Sequence, residues 1–268
     1  MTKQRGFTLV ELIVVLVVMG IMAATLVVFI KPVVDGYVDA QRRGDLIDAA
    51  DTALRRMAID IRRAVPNSID PVSDSCFRLV PSVAGGRYRM GPDTEAAQAG
   101  DWLDPSRATT AFDVLSPLST LPAANDWVVI GNQDVQSVYG GQTRGQIAGV
   151  DGAAASRRHR LRLAATQFPV GYDGGRFMVV ANATQSVFFH CHNRVLYRTV
   201  APFSANRNAT CLATSGAPLA HDVASCTFIY DDARGATQQS GYLWLRLELS
   251  RDGEAISLTQ GVHVDNVP

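Results

Sequence analysis

Lysine is almost missing from this chain of 268 residues: only Lys3 and Lys31 occur, and the other basic residues are arginines. Neither lies in a stretch that patterns as a folded domain, so a lysine-centred mechanism such as a Schiff base or a P-loop is set aside. Glutamate is scarce too, with Asp supplying most of the acidic side chains. The 25 Lys plus Arg balance 25 Asp plus Glu, giving a formal net charge of zero. A general polyanion binder usually carries a basic excess, so no nucleic-acid partner is expected. At 47% hydrophobic residues there is no sign of an acidic disordered tail. Internal repeats, a nucleophile elbow, a zincin helix, a P-loop, a dinucleotide fingerprint, CxxC and HxxxH are all missing from the sequence. The expectation is a non-enzyme without cofactor or metal.

Charge is also missing from one long run. Between Phe7 and Ile30 the only ionisable side chain is Glu11, and from Leu12 to Ile30 there is none. That stretch is about the length that crosses a bilayer core. Before it stands the polar leader Met1–Gly6, with Lys3 and Arg5 and no acid, which holds the amino terminus on the cytoplasmic side. A secretory signal cut near Ala23 and Ala24, or a plain anchor, are the ordinary readings. Glu11 speaks against both, because a carboxylate in an apolar span is costly and needs a partner.

Gly6-Phe7-Thr8-Leu9-Val10-Glu11 followed by the apolar run resembles the type III signal of type IV pilins and pseudopilins. The resemblance implies cleavage between Gly6 and Phe7 by a prepilin peptidase, and N-methylation of Phe7. It also implies that Glu11 pairs with the new Phe7 amine of a neighbouring subunit during assembly. Implied partners are the peptidase and methylase, other major and minor pilins, an inner-membrane assembly platform and membrane lipid. The implied location is the inner membrane, single-pass, with the carboxy-terminal domain periplasmic and the pilus tip as one destination.

Past the span, Lys31-Pro32 is expected to kink or break the helix. Leu46, Ile47, Ala50, Leu54, Met57, Ala58, Ile61 and Val65 then recur at spacings of three and four, the pattern of an amphipathic helix. Asp39 with Arg43 and Asp51 with Arg55 stand at the favourable i, i+4 spacing. The arginine doublets along this helix read as a solvated face balanced by aspartates. The division is therefore leader 1–6, membrane helix 7–30, amphipathic continuation 31–65 and a β-rich globular domain 66–268. The fold class is α+β, a pilin-like long helix packed on an antiparallel β-sheet.

Strand-like runs between turn signals are Cys76–Val80, Phe112–Leu115, Trp127–Ile130, Leu161–Leu163, Phe177–Ala181, Val187–His192, Val195–Thr199, Ser225–Tyr230, Tyr242–Ser250 and Ala255–His263. Asp252-Gly253 is a tight turn joining the last pair. Gly85–Asp126 and Gly131–Ser156 read as long surface loops. Trp127–Ile130, Arg176-Phe177, Phe189-His190-Cys191, Leu196-Tyr197-Arg198 and the ending Val262–Pro268 resemble the MshO-type branch of MSHA pilus biogenesis proteins. The overall plan is also similar to the J-type minor pseudopilins of type II secretion, whereas K-type subunits usually lack the glutamate.

Cys76, Cys191, Cys211 and Cys226 form an even set in a segment expected to be oxidised, so two disulfides are expected, with three pairings open. Cys211 and Cys226 bracket a short loop, which favours that pair and Cys76 with Cys191. A metal on His190, Cys191 and His192 is disfavoured, since in a strand the cysteine points away from both histidines. His221-Asp222 is a weak catalytic signal. Arg157-Arg158-His159-Arg160-Leu161-Arg162 is the densest local charge and reads as a loop entering a strand's exposed face; binding a DNA or glycan polyanion, as a pilus-displayed ligand module, is the alternative. Asn182-Ala-Thr184 and Asn208-Ala-Thr210 fit the glycosylation triplet and read as chance.

Overall fold

The computed structural model describes residues 6–92, 101–154, 157–171, 174–206, 211, 216–232 and 240–267. The leader residues 1–5, the triplet beginning at Asn208, Ser156 and Pro268 lie outside them.

One helix dominates. The first, α1, runs unbroken over Leu9–Arg62, through Pro32, so the expected local break is not found. Its second half packs as its spacing requires: Leu46, Ala50, Leu54, Met57, Ala58 and Ile61 are buried, joined by Ala53, while Val65 is buried just past the end. Ile47 departs from the pattern and is 41% exposed. Of the two expected ion pairs Asp51–Arg55 forms at 2.6 Å. Asp39 instead meets Arg42, because Arg43 reaches out of the helix to Glu254 at 2.8 Å.

The fold is α+β with an antiparallel β region, as expected, and among the described residues that region comprises three sheets. In chain order its strands are β1 Asp70–Ser73, β2 Cys76–Leu79, β3 Ala84–Arg87, β4 Thr109–Val114 and β5 Trp127–Val129. After a short helix, α2 (Val135–Gly140), come β6 Arg144–Asp151, β7 His159–Thr166, β8 Arg176–Val180, β9 Ser186–His192 and β10 Val195–Ala201. The last four are β11 Ala217–His221, β12 Val223–Asp231, β13 Ser240–Arg251 and β14 Glu254–Asp265. All ten runs read from sequence are strands. The two expected loops are partly corrected: the first holds most of β3, besides the β4 run already read as a strand, and the second holds α2 and β6.

A five-stranded sheet, β1-β2-β9-β10-β11, and a three-stranded sheet, β12-β13-β14, make the scaffold. Leu243, Leu245, Leu247 and Leu249 alternate onto the face that meets α1, with Val262 and Val264 beside them. Phe77, Leu79, Val187 and Phe189 of the larger sheet complete the same core. Asp252 and Gly253 both adopt positive φ (51° and 88°), the conformation a two-residue hairpin between right-twisted strands requires.

The remaining strands, in the order β3-β8-β5-β6-β7-β4, curl until the outer two meet. Closure is antiparallel: the Arg89 N–H donates to the Asp113 carbonyl and the Leu115 N–H to the Arg87 carbonyl, both at 2.9 Å. The result is a small closed barrel, which removes the edge-strand problem for these six strands. Its interior is filled by Phe112, Val114, Val128, Ile147, Leu161, Phe177 and Val179 among others. Gly145 permits this, since a Cβ there would lie 2.8 Å from the Phe168 ring.

The barrel docks on the scaffold just beyond the end of α1. Val65, Val80, Val129, Val138, Tyr139 and Val180 form a separate small cluster there. The Tyr139 hydroxyl donates to the Ser68 carbonyl at 2.9 Å, and the Asn132 amide donates to the Pro66 carbonyl at 2.8 Å. Arg78, 1% exposed, pairs with Asp70 at 2.8 Å and stacks 3.7 Å from the centre of the Tyr139 ring. A buried charge of this kind is tolerable only when paired and hydrogen-bonded, and the Ser204 carbonyl supplies a further acceptor at 2.7 Å.

Candidate functional site: the amino-terminal segment

The segment singled out by sequence lies at the far end of α1 from the barrel. Gly6, Phe7 and Thr8 precede the helix in extended or irregular backbone, and every residue from Gly6 to Val38 is exposed. Phe7 is 88% exposed. The helix contains an 18-residue window of mean hydropathy 3.1, none of it buried, so it is long and apolar enough to cross a membrane. A helix that is apolar all round belongs in lipid or among other helices.

Glu11 has a local role as well. Thr8 is the N-cap of α1 and Glu11 its third helical residue. The Glu11 N–H donates to the Thr8 hydroxyl at 3.3 Å, while the Glu11 carboxylate accepts from the Thr8 N–H at 2.9 Å and from its hydroxyl at 3.0 Å. This capping box satisfies two backbone donors that the first turn leaves without partners. It also places the carboxylate beside the peptide that follows Gly6-Phe7, within one turn of where a cut would create an amine. The spacing Thr-x-x-Glu carries this signal in the sequence, and the reading for a membrane carboxylate passed over it.

The four cysteines form two disulfides, Cys76–Cys211 and Cys191–Cys226, with Cα separations of 5.9 and 6.4 Å. Both pairings correct the expected ones. Cys76 lies directly across from His190 in the β2–β9 ladder, so the neighbouring Cys191 points to the opposite face of the sheet. Cys191 therefore meets Cys226 of β12 on the helix side. Cys76 is left on the outer face, where it holds Cys211 of the segment between β10 and β11.

The same alternation separates the residues weighed for a metal. His190 is buried on the outer face, hydrogen-bonded to Thr199 at 3.0 Å, and Cys191 is spent in its disulfide. Burial, with the nearby His192 adding to it, pushes the His190 imidazole below its ordinary value. His221 and Asp222 sit at the β11–β12 turn, where Asp222 pairs with Arg251 at 2.7 Å.

Within the basic stretch Arg157 and Arg160 are half-buried against acids, while Arg158 and Arg162 are exposed. Arg160 binds the fully buried Asp113 at 2.8 Å and Asp101 at 3.0 Å, and Arg157 approaches Asp113 at 3.9 Å. Arg162 pairs with Asp151 at 3.1 Å, while Arg158 is exposed. Leu161 and Leu163, on either side of Arg162, point into the barrel, so this is a strand with charged and apolar faces, as expected.

Residues 1–27 match the family model described as the prokaryotic N-terminal methylation motif. No curated protein and no solved structure matches the chain. The motif, on a bare apolar helix that packs its other half on an antiparallel β domain, supports a type IV pilin-like protein.

Proposed function

We propose that this chain is a minor pilin-like structural subunit of an MSHA-type type IV pilus, acting in assembly or priming of the filament. The observation that carries the pilin reading is Gly6-Phe7 with Glu11 four residues on, at the head of the uncharged, exposed stretch Leu12–Ile30 of α1. The MSHA-type branch rests on the scattered likeness of Trp127–Ile130, Phe189-His190-Cys191 and the ending Val262–Pro268. Prepilin peptidase cuts between Gly6 and Phe7, and the Phe7 amine is methylated and remains basic. Residues 7–30 then lie in the inner membrane, and the domain from 66 onward faces the periplasm.

In this reading Glu11 gains a partner on assembly. Before assembly the Thr8 donors offset the cost of a carboxylate near lipid; in the filament a neighbour's Phe7 amine adds a counter-charge. Mass spectrometry of the mature chain tests the processing step, with methylated Phe7 expected as first residue. A chain that begins near Thr25 would show an ordinary secretory signal and end the proposal. Glu11→Val should leave membrane insertion intact and abolish incorporation into filaments.

A further inference from the structure

The globular region has two main hydrophobic cores that do not merge. One lies between α1 and the scaffold sheets, the other inside the barrel. The chain enters the barrel after β2 and leaves it before β9, yet β2 and β9 are hydrogen-bonded neighbours, from Cys76 opposite His190 to Leu79 opposite Val187. The barrel's entry and exit strands also pair with each other, Ala84 opposite Val179, and the Val83 N–H donates to the Val179 carbonyl at 2.8 Å. The chain thus departs from the scaffold and returns to it at one place. That is the topology of a domain spliced into the turn of a β2–β9 hairpin.

Position points the same way. The barrel docks at Val65, Pro66 and Ser68, past the carboxy-terminal end of α1. Glu11 lies some 50 residues earlier on one helix, roughly 75 Å away at 1.5 Å per residue. Among the described residues, none of these docking contacts involves the bare half of α1.

We infer that the barrel is an inserted module that takes no part in filament assembly, and that α1 with the eight scaffold strands is the assembly-competent body. This rests on the pilin reading above. The test uses the full chain in cells, with Phe112→Ala in the barrel core and Leu245→Ala in the scaffold core, each removing a fully buried side chain.

In Phe112→Ala, hydrogen exchange of the β3–β8 amides should speed by about a hundredfold, with β9 and β13 within about twofold of the unaltered chain. Its incorporation into filaments should match the unaltered chain, whereas Leu245→Ala should lower incorporation and speed exchange in the scaffold strands. Equal acceleration in every strand after Phe112→Ala would mean that barrel and scaffold open as a single cooperative body, and would overturn the inference. So would loss of incorporation as deep as that of Leu245→Ala at equal chain level. If Phe112→Ala is degraded, exchange of the unaltered chain through rising denaturant decides: an opening confined to the barrel supports the module, and one shared opening overturns it. Glu11→Val is the control for the reading beneath: incorporation unaffected by that change removes the pilin assignment, and the exchange data still decide whether the barrel is a module.

Discussion

The two halves of α1 are built of the same hydrogen bonds and face opposite demands. From Leu9 to Val38 nearly every position is apolar and all are exposed; from Leu46 to Ile61 apolar positions recur every three or four residues and are buried on the domain. The first half has no preferred face, so its apolar surface can be satisfied only by lipid or other helices. The second half has one face, and the sheets determine where it points. One continuous helix therefore joins a stretch whose environment lies outside the chain to a stretch whose environment is the chain itself.

The sharpest way to break this contrast is to cut the same amount of apolar surface from each half. Met57→Ala should lower the thermal stability of the domain by about 2–5 kcal/mol, as removal of a fully buried side chain does. Leu16→Ala, already 62% exposed, should leave that transition where it is.

Acid should also separate the two regions. His190 is held neutral by burial, so its folded pKa lies below the ordinary 6.5. Between those two values the unfolded chain binds the proton and the folded chain does not. This contribution is therefore fully present above about pH 6.5 and is lost as pH falls through the folded value. Melting curves of the domain should fall over that window, and His190→Gln should flatten the fall. An identical pH slope in the variant would show that other groups dominate.

At the helix start, Thr8→Ala should cost about 1 kcal/mol of local stability, read as fraying of the first turn by hydrogen exchange in a bilayer mimic. The smallest effect belongs to the surface of the packed half. Asp51→Asn breaks an exposed ion pair with Arg55 and should shift stability by less than about 0.5 kcal/mol.

Much of this was legible in the residues. The helix, its buried stripe and the strands with alternating or continuous apolar runs follow from periodicity. What escaped has physical causes. β1 and β11 each contain a proline, at Pro71 and Pro218, which argues against a strand unless it lies at a sheet edge, and both do. In β3 and β6 glycine replaces side chains where an aromatic ring must fit, so the alternation that marks a strand is erased. Ile47 satisfies the helical spacing and still lies outside the core, because spacing sets the stripe and not its width. The barrel was invisible because its closure depends on Tyr88 meeting Val114, a contact between segments that carry no signal for each other. The cysteine partners could not be read for a similar reason: one residue of strand register decides which face a sulfur occupies.

That last feature bears on the order of events when the chain matures. Cys76 and Cys191 come close along the β2–β9 ladder but are separated by the sheet itself. Before the strands align nothing keeps their sulfurs from meeting, and a bond made then would force the two onto one side and forbid the ladder. Oxidation that waits for alignment has only the correct partners within reach. The aligned sheet thus acts as a partition: a Cys76–Cys191 crosslink and the β2–β9 ladder exclude each other, and only the pairs Cys76–Cys211 and Cys191–Cys226 are compatible with it.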